Sequence, residues 1–519
     1  MIQRKAVYFS SMRRVLFLSC ISLAMTATSQ SIADRDLKRL VDDRFEESVG
    51  SLREFLAYPN NGRSSKDIDR NVEWCQNRFL SLGFETQVIE SDGIKHVYAQ
   101  REVQKGAPFL LFYMQIDGQP VDTLEWNQES PYQAVLKSCA EADCQTIDWK
   151  RMSGKWDPDW KIFARSASDS KGPALAFMEA LLILKKNNID PMFNMKVIMD
   201  FQEELGSPTL PALVEKNRDL LKAEAMLIMD GTRHPSNLPT LTFGARGIAT
   251  MTLTVYGARR DLHSGQYGNF APNPVFQLSK ILAGMKDEEG RVLIPGFYDG
   301  INLTDERKAI LNDVPEDKQV LLGQLGLYKS DAVGDTYQEA LQYPSLNVRG
   351  LRAAWVGSNV RTIIPSEALA EIDMRLVLES PAERQIGLVR EFIRDQGFHI
   401  LDSLPTAEER TLYSKLIRVE SRIGSKPFRT DLDSELGVWL GNAMDQTFGK
   451  GKYIKMQSTG GSQPIAPFIS TLSIPAISIR IPNPDNSIHA PNENLRLGNF
   501  HEGIRMCLGI LTQKYISDE

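Results

Sequence analysis

The amino-acid sequence predicts an α/β protein in which a mixed sheet is flanked by helices and a smaller α+β domain is inserted. From about Asp34 onward, segments with helical periodicity alternate with short runs rich in β-branched residues, the pattern of a sheet covered by helices. Several of these runs are apolar throughout, so both faces of the corresponding strands are expected to be buried. The pattern changes near Gly244 and returns near Asp431, which predicts the insertion.

The first part of the larger domain is predicted to cover residues 34–244. Its predicted helices lie at 70–82, 173–186 and 210–221, where apolar residues recur with helical spacing. Its predicted strands lie at 108–115, 161–164, 195–201 and 225–229. These strands are expected to form one sheet, with the helices on its faces.

The inserted domain is predicted at 245–425, and the larger domain is completed by 426–519. The insertion contains predicted strands at 249–256, 346–352 and 368–378 and predicted helices at 274–285 and 381–396. The final part contains a predicted helix at 436–448, a strand at 476–481 and a closing helix at 499–514.

Length, composition and charge exclude several classes of protein. A chain of 519 residues is too long for one ordinary domain. With 42% hydrophobic and 24% charged residues, its composition is that of a globular protein rather than a disordered one. The net charge of −6 gives no basic surface for nucleic acid, so a nucleic-acid partner is not expected.

Residues 1–33 are predicted to be a signal peptide. Lys5, Arg13 and Arg14 precede an apolar run at 15–25, and small and polar residues follow it. The run is too short to span a bilayer as a helix, so no stable membrane anchor is expected. Cys20 raises a lipoprotein alternative, but the residues before it match a lipobox poorly. The protein is therefore expected to be exported to a periplasmic or extracellular location.

The remaining cysteines suggest one local disulfide. Cys139 and Cys144 flank a short polar stretch that has the character of a surface insertion, and an oxidising compartment favours a bond between them. A zinc knuckle is the alternative, although no second cysteine or histidine pair lies nearby. Cys75 and Cys507 fall in helical patterns and are expected to be core residues.

Acidic and histidine residues follow the predicted strands and are expected to meet at one edge of the sheet. Asp117, Asp169, the pair Glu203 and Glu204, Asp230 and His489 each come shortly after such a strand. Each residue alone is weak evidence for a site, because an isolated acidic residue more often forms a turn, caps a helix or lies on the solvated surface. Their shared position at one edge of the sheet favours a metal site, since clustered carboxylates repel one another unless cations bind. Oxygen ligands with imidazole suit zinc, with manganese or cobalt as substitutes.

These and further motifs resemble the M20 family of metallopeptidases, and within it the carnosinase-like dipeptidases, over essentially the whole mature chain. The motifs appear in family order: Asp117-Gly-Gln-Pro, Ala167-Ser-Asp-Ser-Lys-Gly, Glu203-Glu-Leu-Gly-Ser, Met229-Asp, Asp261-Leu-His-Ser-Gly, Thr362-Ile-Ile-Pro, Arg375-Leu-Val, Gly460-Gly-Ser and His489-Ala-Pro-Asn-Glu. The resemblance implies a zinc-peptidase-like catalytic domain and an inserted lid and dimerisation domain. It also implies a homodimer formed through the lid domain and a small peptide or amide substrate.

The resemblance also implies two zinc ions per subunit and a role for each metal ligand. Asp169 would bridge the two ions, Glu204 and His489 would complete one site, and Asp230 and Gln115 would complete the other.

The other site residues receive roles in the same way. Glu203 would be the general base for a metal-bridged hydroxide that attacks the amide carbonyl. Asp117 would orient the metal ligand two residues before it. His263 would stabilise the oxyanion from across a dimer interface, although a structural hydrogen bond at a turn is the alternative. The substrate would be held by Thr362, Arg375 and Ser462; a structural ion pair with Asp373 or Glu371 is the alternative for the arginine.

One position departs from the family at a metal ligand: Gln115 stands where the motif has histidine. A neutral amide is a weaker zinc ligand than imidazole, so the metal held by Asp230 is in question. Ser458, Thr459 and Gln463 also differ from their usual counterparts near the substrate pocket. The leading hypothesis is an exported peptidase acting on dipeptides or small peptides. The alternatives are an amidohydrolase acting on N-acyl amino acids and a non-catalytic peptide-binding protein.

Overall fold

The computed structural model describes residues 34–140 and 143–515. The predicted signal peptide, residues 1–33, lies outside the described residues. In the described part of the chain, no helix has the length and apolar character needed to cross a membrane.

The strands are numbered in chain order. They are β1 (Glu85–Ser91), β2 (Ile94–Arg101), β3 (Phe109–Gln115), β4 (Val135–Ala140), β5 (Asp143–Thr146), β6 (Lys161–Phe163), β7 (Asn194–Asp200), β8 (Ala225–Ile228), β9 (Thr240–Thr242), β10 (Gly244–Ala245), β11 (Gly247–Tyr256), β12 (Leu262–His263), β13 (Ser345–Arg352), β14 (Ile363–Ile364), β15 (Glu367–Leu376), β16 (His399–Leu401), β17 (Leu416–Ile423), β18 (Phe428–Arg429), β19 (Ile454–Met456), β20 (Ala476–Arg480) and β21 (Asn494–Arg496).

The α-helices are numbered in the same way. They are α1 (Asp34–Asp42), α2 (Phe45–Leu56), α3 (Ser65–Ser81), α4 (Lys171–Lys186), α5 (Leu210–Lys216), α6 (Arg218–Leu221), α7 (Ser264–Tyr267), α8 (Pro274–Met285), α9 (Asp305–Asn312), α10 (Lys318–Leu325), α11 (Tyr337–Ala340), α12 (Ala382–Asp395), α13 (Glu409–Leu412), α14 (Glu435–Phe448), α15 (Ala466–Leu472) and α16 (Leu497–Leu511).

The larger domain is built on an eight-stranded mixed sheet with the order β1-β2-β7-β3-β8-β20-β9-β19. Its four central strands, β7, β3, β8 and β20, run parallel to one another. β3, β7, β8 and β20 are almost entirely buried, as expected for apolar strands covered on both faces. Helices α4 and α16 pack against each other on one face and contribute to the main hydrophobic core. The predicted mixed sheet flanked by helices is confirmed.

The inserted domain is built on a five-stranded sheet with the order β13-β15-β11-β17-β16. Helices α8 and α12 pack against this sheet and share a second hydrophobic core with it. β15 alternates buried and partly exposed residues, the pattern expected of a strand that turns one face toward the helices. The predicted α+β insertion is confirmed; the inserted part is called the lid domain below.

Two expectations about individual elements were wrong. The predicted helix at 210–221 is two helices, α5 and α6, which meet at Asn217. The predicted strand at 161–164 forms β6, but β6 lies in a separate four-stranded sheet with the order β21-β6-β4-β5. Its partners β4 and β21 come from distant parts of the chain, so local sequence pattern could not assign it to a sheet.

The cysteines are placed as the sequence favoured. Cys139 on β4 and Cys144 on β5 are paired residues of neighbouring antiparallel strands and form a disulfide. Cys75 and Cys507 are buried free thiols in the main core. Burial raises the pKa of the Cys75 thiol to about 12, which keeps it protonated and unreactive.

Candidate metal centre

Asp169, Glu204 and His489 come together at the carboxyl edge of the central parallel strands. His489 Nε2 lies 3.1 Å from Asp169 Oδ2 and 3.3 Å from Glu204 Oε2. Among the described residues, these three form the group of acidic and histidine side chains able to share a cation. One imidazole nitrogen and two carboxylate oxygens are a donor set that suits zinc.

A proton competes with any cation at this triad. Hydrogen bonds to Asp169 and Glu204 raise the pKa of His489 to about 10. A metal ion requires the neutral imidazole, so metal binding at this position is expected to release a proton.

Glu493 holds the loop that delivers Asp169. The buried carboxylate of Glu493 accepts hydrogen bonds of 2.9 Å from each of the backbone N–H groups of Ser166, Ser168 and Asp169. It also accepts one of 3.0 Å from the Ser168 hydroxyl and one of 2.7 Å from Arg165 Nη1. These bonds fix the backbone on both sides of the metal-binding position.

The chain then turns directly into helix α4. The peptide bond between Asp169 and Ser170 is cis, and α4 begins at the next residue, Lys171. A side chain at Gly172 would lie 2.1 Å from the carbonyl oxygen of Ala167, so only glycine allows this close approach. Asp169 therefore reaches the centre through a loop and a helix start, and the expectation that it follows a strand of the main sheet was wrong.

Asp117 holds the turn that carries Glu203 and Glu204. This turn follows β7 and forms a short 3₁₀ helix, Glu203–Leu205. Asp117 Oδ1 accepts a hydrogen bond of 2.9 Å from the backbone N–H of Glu203, and its Oδ2 accepts one of 3.2 Å from that of Glu204. Gln119 Nε2 donates a 2.7 Å hydrogen bond to Glu204 Oε2. The carboxylate of Asp117 thus positions the two glutamates through their backbone.

The carboxylates around Glu203 are crowded. Burial raises the pKa of Glu203 well above its usual range, and the charges of Asp230, Asp169, Glu204 and Asp117 raise it further. A cation beside these groups would offset the repulsion, which is the physical reason why such a cluster favours metal binding.

Asp230 follows β8 and is occupied by protein donors. Ser170 Oγ donates a 2.7 Å hydrogen bond to Asp230 Oδ1, and Gln463 Nε2 donates a 2.9 Å hydrogen bond to Asp230 Oδ2. Gln115, at the end of β3, is 1% exposed, and its Nε2 has no partner among the described residues. The residues of the triad therefore fit a metal ion, whereas both carboxylate oxygens of Asp230 already accept hydrogen bonds from protein donors.

The residues predicted to bind substrate fall into two pairs. Arg375 Nη1 donates a 3.0 Å hydrogen bond to Ser462 Oγ, and Arg375 Nε lies 3.6 Å from Asp373 Oδ2. On the lid domain, the ladder between β12 and β14 places His263 opposite Ile363. The Ser264 N–H donates to the carbonyl oxygen of Thr362, so His263 and Thr362 share one small surface. His263 is exposed, and its Nδ1 accepts a 3.1 Å hydrogen bond from the Gly265 N–H.

Two further buried carboxylates, Glu493 and Asp200, were not among the site residues predicted from the sequence. Glu493 was part of a recognised motif, four residues after His489, so its position was a signal that could have been used. Asp200 is the last residue of β7. Its carboxylate accepts a hydrogen bond of 3.0 Å from Tyr113 Oη and one of 2.9 Å from the backbone N–H of Gln202. The only sequence signal for Asp200 was an acidic residue within the predicted strand at 195–201.

Comparison with known proteins agrees with this arrangement. The Beta-Ala-His dipeptidase of Homo sapiens is 28% identical over 360 residues, which are 67% of this chain and 67% of that protein. The Cys-Gly metallodipeptidase dug1 of Schizosaccharomyces pombe is 27% identical over 358 residues, which are 67% of this chain and 72% of that protein.

A solved structure and a family model extend the likeness to most of the chain. The M20 family metallo-carboxypeptidase Sso-CP2 from Sulfolobus solfataricus superimposes with a TM-score of 0.72 at 25% identity, covering 90% of this chain and 99% of that one. The model of the peptidase family M20/M25/M40 matches residues 140–513. Because this match spans more than half of the sequence, the chain belongs to the peptidase family M20/M25/M40 and is a metallopeptidase.

Proposed function

We propose that this enzyme is a metallopeptidase that cleaves the amide bond of dipeptides or small peptides, with Glu203 as the general base. The observation that carries the proposal is the convergence of His489, Asp169 and Glu204 on one point beside Glu203. The curated relatives named as dipeptidases support the substrate class.

The residues of the chain divide the reaction between them. Asp169, Glu204 and His489 would hold a zinc ion, replaceable by manganese or cobalt, which would supply Lewis acidity toward the amide carbonyl and lower the pKa of a water molecule. Glu203 takes a proton from the attacking water and delivers it to the leaving amine. Asp117 keeps Glu203 in position through the backbone hydrogen bond described above.

Arg375 and Ser462 form the proposed carboxylate site. The guanidinium of Arg375 offers paired N–H donors, a geometry that matches the C-terminal carboxylate of a dipeptide. Its hydrogen bond to Ser462 sets the orientation of the guanidinium before substrate arrives. A dipeptide would thus be fixed at its C-terminal end while its amide bond lies at the metal centre.

The test is hydrolysis of a substrate panel by zinc-loaded enzyme. The panel contains β-alanyl-histidine, cysteinylglycine, dialanine and N-acetyl amino acids, and free amine release is measured. We expect dipeptides to be cleaved and Glu203→Gln to abolish cleavage while zinc stays bound. Cleavage of N-acetyl amino acids alone would support an amidohydrolase instead. Tight dipeptide binding without cleavage by the wild type would support a non-catalytic binding protein.

We further propose a homodimer in which His263 and Thr362 of one subunit serve the metal centre of the other. The exposed position of His263 on the lid domain supports this, as do nearby exposed apolar side chains, including Phe270 and Val356. His263 would donate a hydrogen bond to the oxyanion that forms during attack.

Subunit complementation tests this arrangement. His263→Ala and Glu203→Gln homodimers are each expected to be inactive. Mixed after reversible dissociation, they should recover about a quarter of wild-type activity, because one site in half of the dimers is then intact. A monomer by light scattering, or no recovery in verified heterodimers, would contradict the proposal.

Export through residues 1–33 is also proposed. The disulfide between Cys139 and Cys144 supports it, because such bonds persist in oxidising compartments. Mass spectrometry of the mature N-terminus would test it: recovery of the uncleaved chain from the cytoplasm alone would contradict export.

A further inference from the structure

Asp230 carries hydrogen bonds from protein groups on both of its carboxylate oxygens. Ser170 Oγ donates to one oxygen and Gln463 Nε2 to the other, at 2.7 and 2.9 Å. The orientation of the Gln463 amide is set from its other side, because Ser478 Oγ donates a 3.3 Å hydrogen bond to Gln463 Oε1. The nitrogen of the amide must then face the carboxylate.

A buried arginine supplies a positive charge beside the same carboxylate. Arg480, on β20, is 5% exposed; burial lowers the pKa of its guanidinium, and the charge of Asp230 acts in the opposite direction. A side chain on Gly231 would lie 1.2 Å from Arg480 Nη1, so the guanidinium packs directly on the backbone next to Asp230. Gly231 has φ +94°, which also favours glycine.

The donors of Arg480 are only partly used. Its Nε donates a 3.3 Å hydrogen bond to Thr242 Oγ1, while its Nη2 has no partner among the described residues. Gln115 Nε2 is likewise buried and unpartnered in the described part of the chain. Asp230 is therefore hydrogen-bonded by Ser170 and Gln463, and a buried guanidinium packs on the backbone beside it.

This arrangement opposes a second metal ion. A divalent ion at Asp230 would have to displace the hydrogen bonds of Ser170 and Gln463 and would be repelled by the guanidinium of Arg480. In return it would gain only the neutral amide oxygen of Gln115, which is a weaker zinc ligand than imidazole. The triad also carries protein donors, because Gln119 Nε2 bonds Glu204 Oε2 at 2.7 Å and Ser170 Oγ bonds Asp169 Oδ1 at 3.2 Å, but in return it offers a metal ion one imidazole and two carboxylates.

We propose that this enzyme binds a single metal ion, at Asp169, Glu204 and His489, and that Gln463 and Arg480 stabilise Asp230 in place of a second ion. This departs from the two ions implied by the family resemblance. The inference rests on the proposed function only in taking the triad as a metal site.

The test is the number of zinc ions bound per chain. The protein without residues 1–33 is saturated with zinc, and loosely bound metal is removed by gel filtration. The zinc content is then measured by mass spectrometry and the protein concentration by amino-acid analysis. We expect about one ion per chain for the wild type and about none for Glu204→Gln. The double variant Gln115→His with Gln463→Leu, which restores an imidazole and frees Asp230 Oδ2, is expected to bind about two.

A matched control separates the role of Gln463 from the loss of any buried glutamine. Gln457 is a buried glutamine on the same segment, and its Nε2 donates a 3.2 Å hydrogen bond to the carbonyl oxygen of Thr430. Gln115→His with Gln457→Leu should remain at about one tightly bound ion. Thermal unfolding with and without zinc verifies that each variant is folded.

Two outcomes would overturn the inference. One is a wild type that retains two zinc ions per chain after gel filtration. The other is a folded Gln115→His with Gln463→Leu variant that still binds one ion, which would remove Gln463 from the explanation. The proposed function fails separately: one tightly bound ion without cleavage of any substrate would refute the peptidase and leave the single-ion inference intact.

Discussion

Arg375 of the lid domain donates a 3.0 Å hydrogen bond to Ser462, which lies in a loop of the larger domain. The two residues are 87 positions apart in sequence: Arg375 lies on β15 of the five-stranded sheet, and Ser462 lies in the loop that follows β19 of the eight-stranded sheet. Their contact joins the two domains at the proposed carboxylate site, so substrate binding and domain position are expected to be coupled there.

Arg375→Lys should weaken binding of substrates with a free C-terminal carboxylate. Lysine keeps the charge but cannot offer the paired donors, and loss of a charged hydrogen bond costs about 2 kcal/mol, or roughly 30-fold in kcat/KM. Dipeptides and their C-terminal amides would be compared in steady-state kinetics. Arg349→Lys is the control, because Arg349 lies on the same sheet and pairs at 3.5 Å with Glu371 at the surface. An equal loss for acid and amide substrates would contradict the carboxylate site.

Asp117→Asn should lower kcat without removing the metal ion. One of its two acceptor oxygens becomes an NH₂ group facing a backbone N–H of Glu203 or Glu204, which displaces the turn. Replacing such supporting partners typically costs about 10–100-fold in activity. The control is Asp122→Asn, since Asp122 only caps a short 3₁₀ helix at the surface. Wild-type kcat in Asp117→Asn would show that the turn does not depend on this carboxylate.

Glu493→Gln should be strongly destabilising. The buried Arg165 guanidinium would lose its counter-charge, and the amide NH₂ would face backbone donors of the 166–169 loop. Breaking a buried pair in this way costs about 3–5 kcal/mol, measured as a loss of unfolding free energy in urea. The control is Glu420→Gln, because Glu420 forms an exposed ion pair with Arg418. This variant should lower the unfolding free energy by less than about 1 kcal/mol. Similar losses in both variants would contradict the role given to Glu493.

Asp485 should contribute stability that disappears in acid. Lys161 Nζ and Arg496 Nη2 donate hydrogen bonds of 2.5 and 2.8 Å to it, and together they hold its pKa well below the usual range. A lowered folded-state pKa stabilises the fold above the unfolded-state pKa, about 3.9, and this contribution is lost as pH falls from there toward the folded value.

The pH dependence is measured as the difference in unfolding free energy between wild type and Asp485→Asn. The carboxylate is about half exposed, so solvent screening limits the difference to about 1 kcal/mol at pH 7. The difference should shrink between about pH 4 and pH 2. A constant difference over this range would show that the ion pairs do not carry the effect.

The sequence by itself determined the sheet, the inserted domain and most residues of the metal centre. Apolar runs such as β3 and β8 identify buried strands because their burial depends on local composition, and the carboxyl ends of neighbouring parallel strands necessarily meet. The order of Glu204 and His489 along the chain therefore predicted their convergence.

Only the tertiary structure decided which groups surround each carboxylate. β6 joins a separate sheet, Asp169 arrives from a helix start, and Gln463 lies against Asp230 across 233 positions of sequence. Gln115 and Gln463 both depart from the family pattern, but the sequence alone does not reveal that Gln463 contacts Asp230. Hydrogen-bond partners of this kind depend on the packing of distant segments, which leaves no periodic signal in the local sequence.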